Sequence, residues 1–170
     1  MNRAKLIVLL VCCAGILLSC SSRLSTDEFL EHRNAGDSAY NKGDYLEAEK
    51  HYKAALVVAE KQSPNNSQVQ TALHYLGVNY VAQGKYAEAE ATYKRQINVA
   101  ETVYGAESPD LLSPLSDITL LFIKQGRFDA AGQYNQRALS IISKIPKGEH
   151  KEAVELTESL RDWIQKGKSS

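Results

Sequence analysis

The stretch Leu73–Tyr93, LHYLGVNYVAQGKYAEAEATY, decides the fold. Apolar and aromatic residues recur in it with a helical period, yet Gly77 sits in the middle of the pattern. Glycine inside a helix costs roughly 0.5–1 kcal/mol relative to alanine, so something must need the missing side chain. Gly84, seven residues on, falls where one amphipathic run ends and the next begins. A glycine just past a helix end supplies the left-handed turn that stops it.

The same arrangement recurs along the chain. NKGDYLEAEKHYKAAL from Asn41, AQGKYAEAEATYKRQI from Ala82 and KQGRFDAAGQYNQRAL from Lys124 align, with Gly43, Gly84 and Gly126 spaced 41 and 42 residues apart. Each glycine follows an amphipathic run and precedes an aromatic residue (Tyr45, Tyr86, Phe128) and an alanine-rich second run. Each unit therefore reads as helix, tight turn, helix. Gly36 and Gly77 lie in first helices, and Ala48, Ala89 and Ala131 in second helices. Small residues at both places let paired backbones approach closely while Tyr52, Leu76, Tyr80 and Tyr93 fill the remaining volume. Thr119 replaces the small residue in unit three and Gln96 replaces an alanine in unit two, so looser packing is expected at both.

This pattern resembles the tetratricopeptide repeat, and the long spacing, with the connection ETVYGAESPDLLSPL from Glu101 to Leu115, looks like its kinesin-light-chain subtype. The resemblance implies an all-α, right-handed α-solenoid of three helix-turn-helix repeats over residues 25–146. Ser25-Thr26-Asp27-Glu28 reads as a helix start, with a hydroxyl cap and acids in the first turn. After Pro146, residues 147–170 read as a capping helix, from about Glu149 to Lys166, and a tail. Its apolar stripe is Ala153, Leu156, Leu160, Trp163 and Ile164, with Glu152, Glu155, Glu158 and Asp162 making the other side polar.

The N-terminus belongs to another class of sequence. Arg3 and Lys5 precede an unbroken apolar run from Leu6 to Leu18. Thirteen helical residues span about 20 Å, short of the roughly 30 Å hydrocarbon core, so residues 1–19 read as a secretory signal and not as a membrane span. Leu17-Leu18-Ser19-Cys20 resembles the lipobox of bacterial lipoproteins, which implies a thioether-linked diacylglycerol on Cys20 and a tether over 20–24. Acyl chains of that kind suffice for stable anchoring. Ser21, where an aspartate would favour the inner membrane, resembles the outer-membrane pattern of Gram-negative lipoproteins and implies its periplasmic face. Cys12 and Cys13 leave with the signal, so the mature chain can form no internal disulfide or thiolate metal site.

The 170 residues suffice for one domain. Twenty basic and twenty acidic residues cancel without clustering, which speaks against nucleic-acid binding. His32, His51, His74 and His150 lack the i, i+4 spacing of paired ligands, so no metal is expected. No nucleophile-elbow serine or phosphate-cradling loop occurs, so neither catalysis nor a cofactor is expected. Glu47/Glu49 and Glu88/Glu90 recur two apart and read as solvated helix faces. Asn65-Asn66-Ser67 reads as a helix-start loop.

What remains is a binding surface. The resemblance implies that first helices line a concave groove for an extended peptide or a partner's helix. Through the repeat alignment its residues are Arg33, Asp37, Tyr40 and Asn41; His74, Tyr75, Val78 and Val81; and Ser116, Asp117, Leu120 and Lys124. The lysine–asparagine clamp for a terminal carboxylate is absent. Tyr75 is the leading anchor and His74 reads as a partly exposed spacer. The expectation is a membrane-anchored adaptor or assembly factor of the bacterial envelope that binds another envelope protein or peptide. The alternatives are a self-associating structural lipoprotein and an accessory to a cell-wall enzyme.

Overall fold

The computed structural model describes residues 26–146 and 148–169, so the signal segment, Cys20 and the tether lie outside the described residues. Among the described residues seven α-helices follow one another: α1 (26–41), α2 (Tyr45–Gln62), α3 (Ser67–Ala82), α4 (Tyr86–Tyr104), α5 (Leu112–Lys124), α6 (Phe128–Ile142) and α7 (Lys151–Lys168). No strand occurs among the described residues. α3 packs on α2 and α4, α5 on α4 and α6, and α7 on α6 and α5, which makes the stack an α-solenoid.

The three turns are alike in detail. Gly43, Gly84 and Gly126 have φ of +79°, +73° and +71°. The amides of Asp44, Lys85 and Arg127 reach back to the carbonyls of Ala39, Tyr80 and Phe122 at 3.0, 2.9 and 2.8 Å. That is the six-to-one closure by which a glycine past a helix end satisfies the terminal carbonyls. At the other kind of junction Asn66 caps α3, its side chain accepting from the Val69 amide at 2.8 Å.

Gly77 exists because of Tyr93. A Cβ on Gly77 would lie 2.3 Å from Tyr93 Cε1, and one on Gly36 would lie 2.5 Å from Tyr52 Cε1. In each of the first two units the ring from the second helix occupies the place of the missing side chain. Both tyrosines are buried, and Ala48, Ala89 and Ala131 are wholly so. In unit three the corresponding pair is Thr119 and Asn135, a small polar side chain standing where the ring would be. Thr119 Oγ1 donates to the Leu115 carbonyl at 2.6 Å, and Asn135 Nδ2 donates to the Thr157 carbonyl at 2.9 Å. Thr119 is fully buried among Leu115, Ile118 and Phe122, so packing there is not loosened as expected. Gln96 is also buried, but its Oε1 has no hydrogen-bond partner among the described residues.

Three further expectations need correction. The stretch 101–115 is mostly helical: α4 runs to Tyr104, Gly105 ends it at φ +95°, and a 3-10 turn over Pro109–Leu111 leads into α5. Leu111, Leu112 and Leu115 are buried, and their burial folds the segment onto the core. In α7 the buried residues are Thr157, Leu160 and Ile164, whereas Leu156 is 42% and Trp163 65% exposed. The helix rests on both α6 and α5, and this two-sided seat rotates the stripe away from Leu156 and Trp163. Gly167 belongs to the same seat, where a Cβ would meet the Phe128 ring at 2.3 Å, so α7 continues through Lys168 instead of ending in a free tail.

Glu49 and Glu90 are not solvated faces. Glu49 binds Lys53 at 2.6 Å within α2 and Lys85 at 2.8 Å from the turn of the next unit. Glu90 repeats the pattern with Lys94 and Arg127, both at 2.6 Å. Burial tends to raise the Glu49 carboxyl, but hydrogen bonds from Lys53, Lys85 and Gln83 outweigh it and hold the group at about 2. These carboxylates tie each unit to the next, and their recurrence in the alignment was the sequence signal. Glu47 and Glu88 lie further out, Glu47 beside Lys50 and His51.

Candidate functional site: the concave groove

Side chains one turn apart on a helix share one face, so on each of the first helices α1, α3 and α5 they form one strip of wall. The positions Asp37/Tyr40/Asn41, Val78/Val81/Ala82 and Leu120/Ile123/Lys124 are equivalent in the repeat alignment. They line two adjoining clefts that share Tyr40 and Val78.

The cleft between units one and two is polar and aromatic, about 270 Å³ in volume. Tyr52 and Tyr75 stack there with ring centroids 5.5 Å apart and 15° between planes. Tyr52 donates its hydroxyl to Asp37 Oδ1 at 2.8 Å. Burial and then the Asp37 carboxylate push the Tyr52 hydroxyl well above the usual tyrosine range, so it remains a donor. Tyr75 is half-buried, edge-on to His74 at 5.4 Å. His74 Nδ1 lies 2.8 Å from Asp117 Oδ2, linking α3 to α5 across 43 residues. The Asp117 hydrogen bond raises the imidazole pKa against the opposing effect of burial. His74 therefore ties unit two to unit three across the groove wall and is not a spacer.

The cleft between units two and three is aliphatic and about 540 Å³ in volume. Val78, Val81, Leu120 and Ile123 form its sides, Lys124 its rim, and Trp163 reaches it from α7. Leu120 is 44% exposed, so it and Trp163 present apolar surface to solvent inside a concavity. Of the groove residues expected from the sequence, Asp37, Tyr40, Asn41, His74, Tyr75, Val78, Val81, Asp117, Leu120 and Lys124 line one or both clefts. Arg33 lines neither; it is half-buried, with one guanidinium nitrogen on Asn34 at 2.8 Å. Ser116 is buried, because its place on α5 faces the core. Trp163 was missed as a groove residue, since its i+3 spacing from Leu160 also suits a core stripe.

Among the described residues no cluster of three or more His, Cys, Asp or Glu could hold a metal. No helix among them is long and apolar enough to cross a membrane.

Comparison with known proteins agrees with this geometry. The structure is similar to that of BtubC (BKLC) from P. vanneervenii, with TM-score 0.64 and 18% identity over 81% of this chain; the alignment spans 62% of that chain, less than two thirds of it. It is also similar to two structures described as a kinesin light chain from Podosopora anserina with nearly identical TPR-like repeats, at 14% identity. These have TM-scores of 0.64 and 0.63 and cover 81% of this chain and 68% of theirs. At such identities the likeness is one of fold. No curated protein matches the chain at a significant level. The family model described as tetratricopeptide repeat matches residues 29–95 and 68–144, which together span most of the chain. The chain belongs to the tetratricopeptide repeat family, whose members are typically non-catalytic scaffolds for protein–protein interaction.

Proposed function

We propose that this chain is a membrane-anchored adaptor or assembly factor of a bacterial cell envelope that holds a partner protein in its concave groove and performs no catalysis itself. One observation carries the groove reading: Leu120 and Trp163 stand exposed in an aliphatic cleft, although each comes from a helix whose other face is buried. Exposed apolar surface gathered in a concavity, with a tryptophan at its edge, has the composition of a binding hot spot.

The anchor reading is supported by the sequence alone. The basic start, the apolar run and Leu17-Leu18-Ser19-Cys20 are those of a lipidated precursor, and Ser21 favours the periplasmic face of an outer membrane in a Gram-negative cell. Two variants test the two halves separately. Cys20→Ala is expected to move the protein from the detergent-extracted membrane fraction to the soluble or uncleaved pool, without altering the groove. Trp163→Ala is expected to leave membrane attachment intact and to weaken the partner by about 30-fold, the scale of a hot-spot residue. Unchanged fractionation of Cys20→Ala would refute the anchor, and unchanged binding by Trp163→Ala would refute the groove.

A further inference from the structure

We infer that this chain pairs with a second copy of itself through the solvent-facing stripe of α7, the two helices lying antiparallel about a two-fold axis at Ser159. The inference goes beyond the groove reading and does not rest on it: Glu152, Leu156 and Ser159 line neither cleft.

The first argument is apolar surface left open. Leu156 and Trp163 stand exposed, although α7 is seated by the buried Thr157, Leu160 and Ile164. The repeat alignment equates these two positions with Pro114 and Leu121 on α5, 42 residues earlier, and with Ala72 and Asn79 on α3, 42 earlier again. All four of those residues are buried. What α3 and α5 cover inside the chain, α7 leaves in water, and with larger side chains. Together with Glu152, Ser159 and Lys166 the two residues form a stripe with alternating steps of four and three, and all five are exposed. That is the spacing by which two helices pack side by side.

The second argument picks the occupant. The stripe is acidic at Glu152, basic at Lys166 and small at Ser159, which lies seven residues from each. Turned end over end, it matches itself. An antiparallel copy sets Glu152 against Lys166 and Leu156 beside Trp163, every contact being made twice, as a two-fold interface requires. A parallel copy would set glutamate on glutamate and lysine on lysine. Ser159 falls on the axis, where a small side chain lets the two helices approach. Glu155 and Asp162 flank the stripe, and their charges are offset within the chain by Lys151 at 3.8 Å and Arg161 at 3.2 Å. Trp163 also reaches the aliphatic cleft, so it serves both surfaces. One pair of 18-residue helices lies at the small end of interface sizes, so the pairing is reversible.

Oxidative cross-linking of the full-length chain, in membranes of the expressing cells and then in detergent, tests the pairing. The unsubstituted chain sets the background from its own cysteines. Ser159→Cys faces itself across the axis and is expected to give a covalent dimer. Glu158→Cys, one residue away and off the stripe, is expected to give none above background. Glu152→Lys and Lys166→Glu should each lower the association constant measured by sedimentation about 10-fold, because each turns two attractive contacts repulsive. The double variant, which exchanges the two charges, should restore it. Leu156→Asp, exposed and therefore folded, should abolish the dimer. No Ser159→Cys dimer above background, or an equal one from Glu158→Cys, would overturn the pairing. Association that ignores both charge variants would overturn the antiparallel order. An adduct of Ser159→Cys with a different protein in the membranes, in place of the dimer, would overturn the second copy and give the stripe to that protein.

Discussion

Gly77 and Val78 are consecutive on α3, yet they answer to different constraints. Gly77 belongs to a seam that repeats: glycine against a tyrosine ring in units one and two, both with no room for a Cβ. Val78 belongs to a wall that does not repeat: its equivalents are Asp37 and Leu120, a carboxylate and an exposed leucine. The two helices of every unit must pack on each other, so the seam positions are confined to side chains that fit. The wall positions touch solvent, so their identity is free to follow a ligand. The difference teaches that in this solenoid stability is read from what recurs and recognition from what changes.

The sharpest way to break the comparison is to fill the seam. Gly77→Ala places a methyl 2.3 Å from a buried ring, and overpacking of this kind costs about 1–3 kcal/mol, more than the gain in helix propensity. Chemical denaturation should show a loss of about 2 kcal/mol, with the partner surface unchanged in the folded fraction. Unit three supplies the control. Gly77→Thr combined with Tyr93→Asn copies its Thr119–Asn135 pair and should be less destabilised than the sum of its single variants by about 1 kcal/mol.

A smaller effect in the opposite direction is expected at Gln96, whose equivalents are Ala55 and Ala138. Its Oε1 is buried without a partner, and a buried unsatisfied polar atom costs about 1–3 kcal/mol. Gln96→Met keeps the volume and removes the orphan, so the unfolding midpoint should rise by about 1 kcal/mol equivalent.

Two titrations sharpen the comparison further, one on each side of the repeats. Glu49, held at about 2 against an ordinary value of 4.5, has a depressed folded pKa. The stability it contributes is present above about 4.5 and is lost as the pH falls toward 2. Glu49→Gln should therefore flatten acid unfolding in that window. His74 has a raised folded pKa through Asp117, so its contribution is full below the ordinary value of 6.5 and is lost as the pH rises through the folded value. Melting measured from pH 6 upward should fall more steeply in the wild type than in His74→Gln. The smallest effect belongs to the wall: Leu120→Asp, exposed and outside the core, should move stability by no more than about 0.5 kcal/mol.

The seam was legible in the sequence because the chain states it more than once. Gly36 and Gly77, Tyr52 and Tyr93, and the three turn glycines hold register with one another, and a single alignment exposes them. Most of the wall followed by the same register. What escaped was whatever depends on how one helix is rotated or seated on two others. Trp163 and Leu156 fit an amphipathic stripe as well as Thr157 and Ile164 do, and only the joint seat on α5 and α6 chooses between them. The His74–Asp117 pair spans 43 residues and depends on how far α5 leans against α3. Glu49 and Glu90 were visible as a recurrence, but Lys85 and Arg127, the partners that join them to the next unit, lie where helical spacing within a single segment has no reach.

The central claim is that the wall, and not the outer face, meets the partner. A photo-reactive amino acid placed at Leu120 in living cells, with a control at Ala91 on the exposed side of α4, tests it most directly. A discrete protein adduct from Leu120 and none from Ala91 is the predicted result. Equal adducts at both positions, or none at either, would contradict it.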